Sequence, residues 1–519
     1  MVVLLSAGVK CRRAAQAASM ALMCASGVAE EYNYDNIVRD YCHTSLDWGA
    51  IPERPEGATG LRQLQVFIRH GARVLASDDF CWAGGHDPSK GNFSCALNYL
   101  ENSIGSSGKT LTPFFRKTFM PEDNGIWGSC ETGQLVEAGF QMEHANGQRL
   151  RQTYVDREGF LPPSLETLSS EDLDRDFFIR STNVHRTRQS GMALVSGMYE
   201  GEVSLEVPYI TMRSMDLSRE NMLVNKHICP SVADREASFY DQLGPSDAAA
   251  ALGVCTKLNP AITQMKDCFW WLTHLVDCLM SRMCPNVPFS THNRSIPEAF
   301  LADDSAMAKS VWKVIDNVQL QYFKAMVDAG ASSAFVGSIL SAAEAALAKS
   351  GEGGVEPKKF LLYSGHDTGP MLPLYAAFDL RPEAPYWPSF ASMLVLELWD
   401  TADGPVVRWI SNGKVVVGPV PFEDFRKQAS RLTAKASSCT EGIDAGVISS
   451  SASLSVNLPP KMSRFAASVR PLSFAAVALA WVAAAAFGAH RRRRASGQFS
   501  VLVAVDEESA RVVSESSEG

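Results

Sequence analysis

Three short apolar runs in this chain each break off into a cluster of polar and charged residues, and this repeated pattern constrains the fold more than any other feature. Gln63 to Ile68 leads into Arg69-His70-Gly71-Ala72-Arg73, Phe177 to Ile179 into Arg180-Ser181-Thr182-Asn183, and Phe360 to Tyr363 into Ser364-Gly365-His366-Asp367. Short runs rich in β-branched and aromatic residues read as buried strands, as do Met393 to Leu398 and Val406 to Ile410. Helical patterns lie between them: Gly133 to Tyr154, Val184 to Tyr199, Asn259 to Met283, Glu298 to Ala329 and Ala334 to Lys349. Strands alternating with helices predict an α/β sheet with helices on both faces. No strand interrupts the region from about 255 to 330, which predicts a helical cap insertion. Ligands of open α/β sheets bind beyond the carboxyl ends of the strands, so the three polar clusters are expected to share one crevice.

The residue types in that crevice suit one chemistry. A phosphate monoester carries negative charge that repels an attacking nucleophile, so a site must first spread that charge over fixed donors. Arginine binds phosphate oxygens in pairs and stays charged, which makes Arg69, Arg73 and Arg180 candidate phosphate ligands. His366 offers a further donor, and Gly71 allows a tight backbone turn beside the anion. His70 lies between two arginines, whose charge disfavours imidazolium and keeps the ring neutral in acid. Its attack on phosphorus would give a phosphohistidine, splitting one hard step into two. Asp367 is placed to protonate the leaving oxygen and then to activate water. This scheme needs no cofactor and no metal.

In this order, RHGAR, IRSTNVHRT and YSGHDT resemble the motifs of the histidine acid phosphatases, a branch of the phosphoglycerate mutase-like superfamily. GQLVEAGFQMEHANGQRLRQTY is similar to that family's helix after the first motif, PSFASMLVLELW to its late strand, and NMLVNKHICP to a further segment. The resemblance covers most of residues 60 to 420. It implies a phosphoglycerate mutase-like sheet with His70 as nucleophile, Arg69, Arg73, Arg180 and His366 as phosphate ligands, and Asp367 as proton donor. The expected substrate is a phosphorylated small molecule, lipid or sugar. The narrower reading is a lysophospholipid, inositol phosphate or phosphoglycan, and the rival of another class is a receptor-like pseudoenzyme that only binds a phosphorylated ligand. Two family positions after RST usually hold acids but here hold Asn183, which can cap the next helix, and His185, read as a surface residue in preference to a pocket wall.

The ends of the chain and its cysteines bear on location. Lys10, Arg12 and Arg13 precede a small apolar run to Ala29, so 1–29 reads as a secretory signal peptide, with a mitochondrial transit peptide as the competitor. The enzyme body is expected over 30–445 and a Ser/Ala/Pro-rich stalk over 446–470. The uncharged run 471–489 would span about 28 Å as a helix, close to the thickness of a bilayer core. Arg491 to Arg494 follow at once and mark the cytoplasmic side, leaving 490–519 as a tail. The expected topology is thus a type I protein with one C-terminal transmembrane helix and a lumenal or extracellular body, at the plasma membrane or in an endosome or lysosome. Of 12 cysteines, the ten outside the leader match no zinc pattern and favour disulfides of unread pairing. Asn92-Phe93-Ser94 and Asn293-Arg294-Ser295 are glycosylation sequons. A net charge of −9 lacks the basic footprint of a nucleic-acid partner, and a homodimer is left open.

Overall fold

The structure is a computed structural model. It describes residues 41–42, 48–76, 93–95, 128–199, 210–289, 300, 306–348, 357–380 and 386–439. The leader, both sequon asparagines, the stalk, the 471–489 run and the tail lie outside the described residues. Among the described residues no single helix is long and apolar enough to cross a membrane.

Seven strands form one mixed sheet in the order β3-β2-β4-β1-β5-β6-β7. They are β1 (Ala58–Arg69), β2 (Phe177–Ser181), β3 (Met212–Arg213), β4 (Phe360–Gly365), β5 (Met393–Thr401), β6 (Val406–Ser411) and β7 (Lys414–Pro421). The first four pair in parallel, and β5, β6 and β7 add antiparallel at one edge. All five expected strands are present, each longer than expected, by one residue in β6 and by more in the others. β3 and β7 were not expected: β3 has only two residues, and β7 is an exposed edge strand whose valine run is cut short by Gly418 and Pro419.

β1 shows why the sheet is covered on both sides. Leu64, Val66 and Ile68 join one buried cluster, while Phe67 joins the other, as period-two alternation requires. On the first face lie α1 (Glu137–Leu150, continued by a π turn over Arg151–Arg157) and α3 (His185–Met198); α2 (Ser170–Asp176) leads directly into β2. On the second face lie α8 (Ser333–Leu347), α9 (Met371–Phe378) and α10 (Phe422–Ala434). Gln63 and Gln65 also face this side, where their amides donate to the carbonyls of Ala342 and Ile339 on α8. The cap is built from α4 (Ser231–Gln242), α5 (Pro245–Leu258), α6 (Met265–Met283) and α7 (Ala306–Asp328), so it begins earlier than residue 255.

Disulfides join Cys42 to Cys284, Cys95 to Cys130, Cys229 to Cys439 and Cys255 to Cys268, and Cys278 is also disulfide-bonded. Cys42–Cys284 holds the segment before β1 against the end of α6. Cys255–Cys268 ties α5 to α6.

Candidate active site

Strand register places the three polar clusters together. Ile68 pairs with Ser364 and Arg69 with Gly365, while Ser181 also pairs with Ser364. The carboxyl ends of β2, β4 and β1 therefore stop level, and His70, Thr182 and His366 emerge side by side. Their backbones remain linked past the strands: His70 N–H donates to Gly365 O at 2.9 Å and Thr182 N–H to Ser364 O at 3.1 Å. The His70 and His366 rings meet edge to face, 5.5 Å between centroids.

Hydrogen bonding fixes the tautomer of each ring. His70 Nδ1 lies 2.8 Å from the Gly71 carbonyl, which can only accept, so Nδ1 carries the hydrogen and Nε2 the lone pair. His366 Nδ1 faces an Arg186 nitrogen at 3.4 Å, which can only donate. Its Nε2 therefore carries the hydrogen and donates to Thr182 Oγ1 at 3.0 Å. Both imidazoles are disfavoured as cations. Burial, and then the charges of Arg186, Arg69 and Arg73, hold His70 well below the ordinary histidine value. Burial and Arg186 lower His366 to about 3.

Arg69 is fully buried on the face of Phe390, with its guanidinium carbon 4.4 Å from the ring centroid. It donates to the Tyr41 hydroxyl and the Pro388 carbonyl, and its Nη2 lies 3.0 Å from Asp367 Oδ2. Asp367 accepts two hydrogen bonds and forms an ion pair with Arg69. Trp387 Nε1 lies 2.6 Å from Oδ2, which also faces Arg69, and Thr368 N–H lies 2.8 Å from Oδ1. Burial alone would push this carboxyl up, but Arg69, the indole and the Thr368 amide outweigh burial and hold it below its usual value. Trp387 is held in turn by Asp316 on α7, whose carboxylate accepts the Tyr386 and Trp387 amides at 3.1 Å each.

Arg180 does not take the expected position. It lies within β2 on the cap face, where its Nη2 ion-pairs with buried Glu220 and donates to Asn221 at 2.7 Å. Arg186 leads the charges acting on His70 and His366, ahead of Arg69 and Arg73. Arg186 sits in the first turn of α3, and the helix that follows β2 returns it to the strand tips. Reading only the residues that end a strand overlooked it; the available signal was that a helix starting just beyond a strand tip also points its first turn into the crevice. Burial and the neighbouring Arg73 bring Arg186 down to about 9, and its Nε, like those of Arg69 and Arg73, is buried without an acceptor. Such donors are costly to leave unpaired, and clustered like charges add to the cost. An anion is the ligand that would relieve both.

Several other expectations also change. Gly71 serves close packing: a Cβ there would lie 2.1 Å from Gly139 O on α1. Asn183 caps nothing. Val184 is the N-cap of α3, and the Asn183 amide oxygen accepts from Arg188 instead. His185 is exposed, as expected for a surface residue. His227 and His274, read as structural or surface residues, line a cavity of about 570 Å³ that opens beside Asp367 and Arg73. Its apolar wall includes Leu223, Val224, Phe269, Phe323 and Trp270; Trp271 packs into the core. Among the described residues, no group of three His, Cys, Asp or Glu side chains is arranged to hold a metal ion.

A family model described as the histidine phosphatase superfamily (branch 2) matches residues 60–412. "Counting factor 60" of Dictyostelium discoideum is 27% identical over 367 residues, covering 68% of this chain and 80% of that protein. Lysophosphatidic acid phosphatase type 6 of Bos taurus is 25% identical over 350 residues, covering 65% and 74%. The 2-phosphoxylose phosphatase 1 of Mus musculus is 26% identical over 314 residues, covering 58% and 59%.

Proposed function

This chain belongs to the histidine phosphatase superfamily (branch 2), and on that premise we propose that it hydrolyses phosphate monoesters in acid through a phosphohistidine on His70. The observation that carries the reading is a neutral imidazole whose free Nε2 is surrounded by the charges of Arg69, Arg73 and Arg186. The guanidinium groups take the phosphoryl oxygens and offset their charge. His70 Nε2 forms a bond to phosphorus as the ester P–O bond breaks, and Asp367 gives its proton to the leaving oxygen. Water then attacks the phosphohistidine with Asp367 as base, which restores the ring. In the free site Asp367 is favoured as the anion; a bound phosphate offsets Arg69 and raises the carboxyl toward the protonated form the step needs. The test is hydrolysis of p-nitrophenyl phosphate across pH by the full chain, with alkaline quenching to trap phosphate on nitrogen. A pseudoenzyme would bind phosphate and release no product.

The cavity favours a narrower substrate. Its wall beyond Asp367 is largely apolar, which suits an ester whose alcohol carries a hydrocarbon chain. A relative named as a lysophosphatidic acid phosphatase is consistent with this. In a substrate panel, a long-chain lysophosphatidate should exceed glycerol phosphate in kcat/KM by roughly 10²-fold, from burial of several CH₂ groups. We also read the body as lumenal or extracellular and anchored by the run at 471–489. The formed disulfides support export, and the four arginines after that run support a single span.

Separating the two arginines tests the site assignment directly. Arg186→Ala should lower kcat/KM by roughly 10²- to 10³-fold, the scale of losing one charge-stabilising donor. Arg180→Ala should change it much less but lower the melting temperature, since Glu220 would be left buried and unpaired at a cost of about 3–5 kcal/mol.

The depressed histidines also give a pH signature. Unfolded histidines take up protons below about pH 6.5, which buried His70 and His366 resist, so their stabilising contribution is complete above that pH and drains away toward the folded values. Between pH 7 and pH 5 His366 should cost about 2 kcal/mol of stability, with a loss of the same sign from His70. Urea unfolding of the phosphate-free protein should show wild type losing more over that interval than His366→Asn. An identical pH dependence in the two proteins would contradict the neutral assignment.

A further inference from the structure

Cap helix α6 places a carboxylate against a phosphate-binding arginine. Asp277 Oδ1 accepts from Arg73 Nη2 at 2.7 Å, and one turn later Ser281 Oγ lies 3.3 Å from Arg73 Nη1. The Asp277 side chain is only 16% exposed and lines the cavity together with Arg73 and Asp367. Given the scheme above, Arg73 must hold a phosphoryl oxygen while Asp277 stays within reach of the same ligand. Two anions sharing one guanidinium repel each other unless a hydrogen lies between them.

The groups facing Asp277 come from several elements. Arg73 and Arg69 come from the β1 end, Arg186 from α3, Asp367 from the β4 end, Tyr41 from the segment before β1, and His274 from α6 itself. The guanidinium groups of Arg69, Arg73 and Arg186 set against Asp277 and Asp367 leave one net positive charge, because His70 and His366 are neutral. That is the charge of the free site; with Asp367 protonated for transfer it becomes two, so net charge does not select the ionic form of the substrate and the choice falls to the Arg73–Asp277 pair.

We propose that Asp277 determines which ionic form of the substrate is taken, by accepting the P–OH hydrogen of the monoanion while Arg73 binds the adjacent oxygen. This rests on the phosphatase reading of the same site. During transfer the bond from His70 Nε2 to phosphorus forms and the ester P–O bond breaks. Asp367 supplies the proton to the ester oxygen, and the P–OH hydrogen stays on the phosphoryl group, held by Asp277. Asp277 would thus add to the preference for acid that protonation of Asp367 already imposes.

Phosphate and sulfate separate this role from simple support of Arg73, because at pH 5 phosphate carries P–OH hydrogens and sulfate is a dianion without one. Binding of inorganic phosphate and sulfate to the full-length protein is measured by calorimetry, so the result does not depend on turnover. Wild type should prefer phosphate by at least about tenfold, the penalty for an acceptor left facing an anion. Asp277→Asn should remove most of that preference, chiefly by tightening sulfate, and should shift the alkaline limb of kcat/KM for glycerol phosphate upward by about one pH unit. Asp277→Glu should keep the preference, and Ser281→Ala, which loosens Arg73 without changing charge, should weaken both anions alike. Equal weakening of both anions in Asp277→Asn, or an unchanged ratio and pH limb, would overturn the proposal. A protein with the phosphate preference and its loss in Asp277→Asn, but without hydrolysis, would keep this inference and end the phosphatase reading instead.

Discussion

His70→Ala is expected to lower kcat by roughly 10⁴- to 10⁶-fold, the scale at which removing an attacking side chain leaves only binding and charge stabilisation. No neighbour can replace it. His366 is the nearest imidazole, but its Nε2 hydrogen is committed to Thr182 and its Nδ1 faces Arg186. Asp367 already accepts from Trp387 and Thr368 and is ion-paired with Arg69. Phosphate affinity should change little, because the arginines that hold the anion remain and the removed ring is neutral. The check combines single-turnover kinetics with the nitrogen-bound phosphate trap: the variant should bind substrate, form no phosphoenzyme and release no product. Turnover above about a hundredth of wild type would mean that another group attacks phosphorus.

Asp367→Asn is the second large effect, and it depends on the substrate. An alkyl phosphate leaves as a strongly basic alkoxide, so losing the proton donor should slow it by roughly 10²- to 10⁴-fold. p-Nitrophenolate leaves without that help, so its first step should slow by less than about tenfold. Asn is the informative substitution because it keeps the size of the carboxyl and one oxygen that can accept from either Trp387 or Thr368, while its amide nitrogen cannot deliver a proton to the leaving group. It also removes the negative charge beside Arg69, which should tighten phosphate binding rather than weaken it. Equal slowing of the alkyl and aryl esters would contradict the proton-donor role.

The structure brings together five of the residues that the sequence singled out. Arg69, His70, Arg73, His366 and Asp367 are legible because strands of an α/β sheet end where ligands bind, and each stands within a few residues of an apolar run. The substitution of Arg186 for Arg180 marks where that rule was applied too narrowly. Arg180 belongs to the strand itself and alternates onto the cap face, whereas Arg186 comes into the site only because α3 begins so close to β2. Asp277 and Trp387 were not legible at all. They reach the site through long excursions of the chain, and no local pattern reports which cap residue will face which strand tip. Cysteine pairing was hidden for the same reason, since Cys42 and Cys284 are 242 residues apart. Two-residue β3 is too short to show a pattern, and the valine run of β7 is broken by Gly418 and Pro419.

The four cap helices occupy a single detour of the chain, leaving after β3 and returning before β4. The groups assigned to bond making and breaking stand on β1, α3 and β4, outside that detour. The recognition surface can therefore be rewritten by lengthening, trimming or exchanging one contiguous stretch, while the strand alignment that aims His70 and Asp367 stays as it is. A scaffold wired this way can diversify its clientele without reinventing its reaction, and swapping this stretch between relatives is the natural route to retargeting it.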